Sequence, residues 1–412
     1  MAMAVDARRF TTRAAAEAYV GGVCFKLGPP RLIGAELEWI TSGAGHDRPD
    51  LDALAAALGP HAPTSLAVAS PALPLAHGSA VTLEPGGQVE LSSAPFPSAE
   101  QLCSALGGDA RTLRGLLADE GIDMHAAAAD VARPARRVLE MLRYRAMQDR
   151  FDRIGPFGRL MMCNTAATQV SVDAGADAAE VAERWAALDA IGPALLAGFA
   201  CSPRLCGIPD GDWASQRMRA WLELDPARTG PGPLTDPIAG YSRWALDAPL
   251  LCVIGGCLGS NGGRDGDWSA PASASFADWL SGALDDEVGR RPGLADLDYH
   301  LTTLFPPVRA CGHLEVRYLD AQPGDLWRVP IAALDALLRD RQTLARASAL
   351  GAPAAGRWRE AAQFGLKDGE LRNAAAELLF LAASRSTAFE ADLAAAAQRC
   401  RRGRTPVQDS RG

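Results

Sequence analysis

The stretch Tyr299–Asp320, YHLTTLFPPVRACGHLEVRYLD, sets the pattern from which the rest of the fold follows. In its second half polar and apolar residues alternate. Leu314, Val316 and Tyr318 fall on one face of a strand, and His313, Glu315 and Arg317 on the other. A carboxylate and a guanidinium two residues apart therefore point the same way. A wet sheet face accounts for one such pair by itself. What argues for more is that other stretches repeat the arrangement.

Arg31 to Ile40 alternate around Gly34, Glu36 and Glu38, with Ala35, Leu37 and Trp39 on the opposite face. Val81–Leu83 and Gln88–Leu91 read as two short strands around Glu84-Pro-Gly-Gly, with Gln88 and Glu90 sharing a face and Glu84 at the turn. Leu160–Cys163 and Thr165–Asp173 read as strand, the second with Gln169, Ser171 and Asp173 on one side and Thr168, Val170 and Val172 on the other. Ile122–Ala128 and Pro249–Ile254 are further strand candidates.

Helical signals separate these strands. Residues 8 to 20 form an alanine-rich helix, and Asp50 caps a short one, LDALAAAL, that stops at Gly59-Pro60. Ser98 with Gln101 makes a capping box for a helix reaching about Ala118, interrupted near Gly107-Gly108. Pro134 to Phe151, helix or loop, concentrates positive charge at Arg143 and Arg145, around Tyr144. Asp177 and Glu180 open a helix through Val181, Trp185 and Leu188 that Pro193 is expected to bend. Three alanine-rich helical segments fill roughly 331–398, before a basic tail, about 400–412, expected to be disordered. The glycine-rich run Gly255–Asp267 lacks the lysine and hydroxyl of a phosphate loop and reads as a surface loop long enough for an active-site lid.

The 412 residues, 48% of them apolar, are read as a single catalytic domain, 1–412, since no interdomain linker or repeat stands out. A net charge of −8 argues against general binding to nucleic acid or to an anionic membrane. No long uncharged apolar run or signal-peptide core is evident, so a soluble, cytoplasmic protein is expected. The nine cysteines include no CxxC pair with zinc-site spacing and are expected to be reduced and mostly buried.

The expected fold class is α+β, a mostly antiparallel curved sheet with helices on its apolar face and a basin of carboxylates on the other. Glu36, Glu38, Glu84, Glu90 and Glu315 on such a face repel one another unless cations sit among them. Oxygen donors without a His/Cys cluster favour magnesium, with manganese second, over zinc, and magnesium so held commonly carries nucleotide phosphates.

Four blocks carry a resemblance to a known family: GAELEW, EPGGQVELS, MMCNTAATQVSVD and HLTTLFPPVRACGHLEVRYLD, together spanning about 34–320, with LRYRAM at 142–147 a shorter match. The chain resembles the glutamate-cysteine ligases of the plant and bacterial type, within the carboxylate-amine ligase group, and is most similar to the actinobacterial members that serve ergothioneine synthesis. The resemblance implies a glutamine synthetase-like catalytic fold. It also implies an amide formed between the side-chain carboxylate of glutamate and the amine of cysteine, driven by ATP cleavage to ADP. Glu36, Glu38, Glu84, Glu90 and Glu315 would then be metal ligands, and Gln169 a ligand or nucleotide contact. Arg317 would stabilise the transferring phosphoryl group. Arg143 and Arg309, with Tyr144 and Thr165 beside them, become candidates for binding glutamate, Asp320 for meeting the amine, and His300 for orienting the loop after it. Gln169 and Ser171 stand where some distant relatives have histidines. A ligase using another amine, a regulator that binds nucleotide without turnover and a structural partner protein are the alternatives.

Overall fold

The computed structural model describes residues 10, 12–28, 31–257 and 267–409. Seven strands form one antiparallel sheet: β1 (Ile33–Ser42), β2 (Ala80–Leu83), β3 (Val89–Ser92), β4 (Asp123–His125), β5 (Ala167–Val172), β6 (Val308–Ala310) and β7 (Leu314–Asp320). Their order is β2-β3-β1-β5-β7-β6, and β4 pairs with the far end of β1. This is the α+β architecture expected from the alternation. Ala35, Leu37, Val81, Leu83, Val89, Leu91, Val170, Leu314 and Val316 are all buried in the core. Helices α3 (Ala99–Asp119), α6 (Ala178–Phe199) and Arg328–Leu337 pack against the sheet.

Several boundaries follow from local chemistry. Helix α1 covers Arg13–Cys24, and α2 is Leu51–Leu58 with the Asp50 carboxylate accepting from the Asp52 N–H. Helix α3 opens with Ser98 accepting from the Gln101 N–H, yet it runs unbroken through Gly107 and Gly108. Those glycines serve close packing: a Cβ at Gly108 would lie 2.7 Å from the His77 ring. The charged segment after Pro134 becomes α4 (Leu142–Ile154). The strand expected over Leu160–Cys163 is instead part of α5 (Phe157–Asn164), because a short apolar run buried all round has no period to separate strand from helix. Helix α6 continues through Pro193. Pro249–Ile254 forms no strand, only the isolated bridges Pro249–Ser275 and Cys252–Ser269. Most of the run Gly255–Asp267 lies outside the described residues.

The C-terminal part also departs from expectation. Helices occupy Arg328–Leu337, Arg341–Gly351, Trp358–Phe364, Gly369–Ala383 and Glu390–Arg401, and a turn of helix follows at Pro406–Asp409. The tail is thus ordered to 409. Its anchor is Arg399, buried, whose guanidinium donates to the Gly198 carbonyl at the end of α6 and to the Arg404 carbonyl. Cys400 is fully buried beside it. Among the described residues no helix is long and apolar enough to cross a membrane.

The β2–β3 hairpin is built by its turn. Glu84 N donates to Gln88 O and Gly87 N to Glu84 O, both at 2.9 Å. Gly87, at φ +88°, supplies the left-handed residue that a three-residue hairpin loop requires. Gly86 is pressed against α5, where a Cβ would sit 2.2 Å from the Cys163 carbonyl oxygen and 2.6 Å from its Cα. Backbone cannot yield as a side chain does, so Gly86→Ala is expected to cost about 1–3 kcal/mol of stability. A lowered denaturation midpoint checks this, and an unchanged midpoint would show that the hairpin shifts freely.

Candidate active site

Strand register assembles the polar face. Glu38 stands opposite Glu90, which stands opposite Thr82. One rung along, Glu36 lies between Ser92 on β3 and Gln169 on β5. One rung further, Glu315 lies between Ser171 and Arg309. Paired residues of an antiparallel sheet share a face, so six ionisable or amide side chains from five strands converge without any loop being involved.

Hydrogen bonds fix the acidic end. Gln169 Nε2 donates to Glu36 Oε2 at 3.1 Å and to Glu38 Oε1 at 3.0 Å, clamping two carboxylates with one amide. Ser92 Oγ donates to the other oxygen of Glu36, the Ala167 N–H to Glu38 Oε2, and Thr82 Oγ1 to Glu90. Gln169 Oε1, turned away by this clamp, is buried with no partner. A buried acceptor without a donor, beside carboxylates, suits a cation or an N–H of a bound molecule.

The other end is basic. Glu315 is gripped by two guanidiniums: Arg309 Nη2 donates to Oε1 at 3.1 Å, and Arg317 Nη1 donates to Oε2. Burial alone would raise the Glu315 pKa, but Arg309 and Arg317 hold it down to about 2. Elsewhere burial prevails. It pushes Glu36 up to about 7, with Glu315 adding to the effect, and Glu84 up to about 8, with Glu38 adding. Glu38 and Glu90 are also raised, first by burial. A sheet face that holds one carboxylate ionised and pushes four others toward neutrality is short of positive charge.

Arg143 and Tyr144 reach this space from α4. Arg143 donates to Thr302 Oγ1 at 2.7 Å and to the Thr302 carbonyl at 2.8 Å, and lies 5.1 Å from the Tyr299 ring centre. The Tyr144 hydroxyl is raised by burial and by the neighbouring Glu84. Two other candidates are occupied elsewhere. The Thr165 hydroxyl is buried and donates to the Met161 carbonyl, closing the end of α5. Asp320, expected to meet an incoming amine, takes the Cys201 N–H and the Ser202 and Ser215 hydroxyls at 2.8 Å each, and lies 3.6 Å from Arg217. A bulge sets Thr168 opposite Leu319, where the register from Glu315 predicts Tyr318, and so pairs Asp320 with Ala167. His300 is buried, bonds the Ala245 carbonyl and is pushed down to about 4 by burial.

Three contributors escaped the sequence reading. Thr82 was legible in the hairpin, since β2–β3 pairing fixes it opposite Glu90. Arg217 and Trp221 lie on α7 (Gln216–Leu224) at helical spacing, a pattern indistinguishable from an ordinary amphipathic helix. Arg217 is fully buried and donates to the Arg317 carbonyl at 2.6 Å, while both guanidiniums face the Trp221 ring, at 5.4 and 5.6 Å.

Residues 32–410 match the model of Glutamate-cysteine ligase family 2 (GCS2), and the chain belongs to that family. Similar proteins include the glutamate-cysteine ligase EgtA of Mycolicibacterium smegmatis, 36% identical over 97% of this chain and 91% of that protein. EgtA of Mycobacterium tuberculosis is 39% identical over 76% of this chain and 71% of its own length. The chloroplastic glutamate-cysteine ligase of Medicago truncatula is 32% identical over 60% of this chain and 47% of its own. The crystal structure of a Francisella tularensis glutamate-cysteine ligase (gshA) in complex with AMP shares the fold, with a TM-score of 0.53 at 14% identity, covering 94% of this chain and 83% of that one.

The raised carboxylates give a signed expectation. With folded pKa values near 7 and 8 against the ordinary 4.5, Glu36 and Glu84 stabilise the fold fully only below about 4.5, and that contribution is lost as the pH rises through 7 and 8. Glu315 runs the other way, its contribution present above 4.5 and lost on acidification toward 2. In chelator the melting temperature should therefore fall between about pH 4.5 and 8. A flat or rising melting curve across that window would contradict the assignment.

Proposed function

We propose that the chain is a glutamate-cysteine ligase, joining the side-chain carboxylate of L-glutamate to the amine of L-cysteine with cleavage of ATP to ADP. The observation that carries it is the polar sheet face itself, in a chain of this family: carboxylates at one end, and at the other Glu315 held between Arg309 and Arg317. A carboxylate is a poor electrophile, and making it react requires both a phosphoryl donor and a place for the charge that builds up.

Glu36, Glu38, Glu84 and Glu90, with Gln169 Oε1, are the residues fitted to hold magnesium or manganese. The donors are all oxygen, one is buried and unpartnered, and the carboxylates lack matching cations. The metal would supply charge neutralisation for the triphosphate. Glu315 is a ligand only by releasing an arginine; in the ligand-free pairing its role is to hold two guanidiniums side by side. Arg317, fixed at its carbonyl by Arg217 and at its Nη1 by Glu315, presents a fork suited to phosphoryl oxygens. Arg143 and Arg309 are proposed to take the α-carboxylate of glutamate, with Tyr144 beside them. Near Asp320 a cavity of about 690 Å³ is lined by Ala126, Ala128, Trp213 and Val407 together with Ser202, Arg204, Asp212 and Lys367, a mixed apolar and charged lining suited to an adenine nucleotide. The substrates are small molecules, the location cytoplasmic, and the product serves ergothioneine synthesis, as the likeness to the EgtA proteins suggests.

The first test offers ATP, magnesium, glutamate and a panel of amines, with products read by mass spectrometry. γ-Glutamylcysteine and ADP are expected. Preference for another amine would leave the ligase class and change the acceptor, and no product with any amine would leave a nucleotide-binding regulator. Glutamate carrying oxygen-18 in its side-chain carboxylate should pass one labelled oxygen to inorganic phosphate, whereas label in AMP would overturn the acyl phosphate. Glu36→Gln and Glu90→Gln should each lower turnover at least about a hundredfold with the fold intact. Near wild-type rates in both would reduce these residues to solvated strand positions.

A further inference from the structure

The hairpin joining β6 to β7 carries a cluster of three donors, two of which the oxygen-donor reading of the site does not use. The Cys311 Sγ lies 3.3 Å from His313 Nε2. With a Glu315 carboxylate oxygen, these donor atoms all fall within 4.8 Å of one another, and among the described residues they are the set of three with that closeness. The turn holds them in place. Cys311 N donates to the His313 carbonyl at 2.9 Å, Gly312 sits at φ +90°, and Gly312 N donates to the Cys24 carbonyl at the end of α1. His313 and Glu315, two apart on one strand, share a face.

We propose that Cys311, His313 and Glu315 form a zinc site at the mouth of the polar face, and that a zinc ion bound there holds the enzyme inactive. A thiolate with an imidazole and a single carboxylate is a borderline-soft donor set that prefers zinc to magnesium, unlike the carboxylates of β1 and β3. Bond lengths of about 2.3 Å to sulfur and about 2.0 Å to nitrogen at a tetrahedral angle place the two donors about 3.5 Å apart, close to their present separation. As the zinc–sulfur bond forms, the thiol proton leaves to solvent. The thiolate then offsets the repulsion that Arg309 and Arg317 exert on the ion. Three protein donors leave a fourth position for water.

Inhibition follows from Glu315. An oxygen given to zinc is weakened as an acceptor for Arg309 and Arg317, and the paired guanidiniums lose the group that holds them together. This consequence rests on the ligase reading. The site itself does not, and the two can fail separately.

The test uses the full chain. Cobalt(II) titrated as a zinc substitute should bind with a thiolate charge-transfer absorption, and zinc should protect Cys311, the exposed thiol of the nine, from iodoacetamide. In ligation assays at constant magnesium, with free zinc set by a metal buffer, zinc should inhibit wild type. Cys311→Ser and His313→Gln should each raise the inhibitory zinc concentration at least about tenfold while leaving the zinc-free rate within about twofold. Absence of the cobalt band together with unprotected Cys311 would overturn the site. A band with no inhibition would leave the site and overturn its effect. Equal inhibition in wild type and variants would also overturn that effect, placing it among the magnesium-binding carboxylates. Should a variant fold poorly, protection of Cys311 in the wild type still decides.

Discussion

Carboxylates that share one face of a buried sheet repel each other and resist desolvation, and the protein meets this strain with neutral donors rather than with counter-charges. Gln169 bridges Glu36 and Glu38, Thr82 serves Glu90, and the Ala167 N–H serves Glu38. A lysine in place of Gln169 would satisfy the same oxygens more strongly and would fill the space where a cation belongs. The amide keeps the carboxylates apart and oriented, and it leaves one acceptor of its own buried and unpartnered. The resulting face has a deficit of positive charge that only a bound species can make good.

Positive charge is concentrated instead at the opposite end and kept rigid there. Glu315 separates Arg309 from Arg317, two cations that would otherwise push apart. Behind them a second buried layer works by the same logic. Arg217 spans from the Arg317 carbonyl to Asp320, and Asp320 is saturated by the Cys201 N–H and two serine hydroxyls. A fully buried arginine is tolerable because its charge faces Asp320 on one side and lies near Glu38 on the other. The bulge in β7 makes this possible, since without it Asp320 would be out of phase with Ala167.

What was legible in the sequence was whatever depended on a period of two. The alternation in β1, β3, β5 and β7 located the acidic face, and Glu36, Glu38, Glu90, Gln169 and Glu315 all lie on it. Capping chemistry placed α2 and α3 closely, because Asp50 and Ser98 act on residues two or three positions away. Distant partners were the hidden part. Nothing local to Leu160–Cys163 tells a buried helix from a buried strand, and nothing local to the tail shows Arg399 reaching Gly198. Asp320 is hidden for a related reason: the groups that occupy it, Cys201, Ser202 and Ser215, lie far away in the chain. His313 was read only as a strand residue and Cys311 only as one of nine reduced thiols, because their closeness arises from the tight turn.

The loop His300–Pro307 explains why the long block reads as a unit even though only its last part is strand. His300 ends a helix and bonds Ala245, Thr303 Oγ1 returns to the His300 carbonyl, and the buried Arg228 donates to Thr303 and Pro249. Pro307 then accepts from the Arg317 N–H, tying the loop to the middle of β7. From the outer side Arg143 grips Thr302 through both Nη atoms. An arginine proposed to receive substrate is therefore joined, through Thr302 and its neighbours, to the strand that bears Arg317. A substrate carboxylate that drew Arg143 away from Thr302 would act on the same loop whose Pro307 carbonyl accepts from the Arg317 N–H.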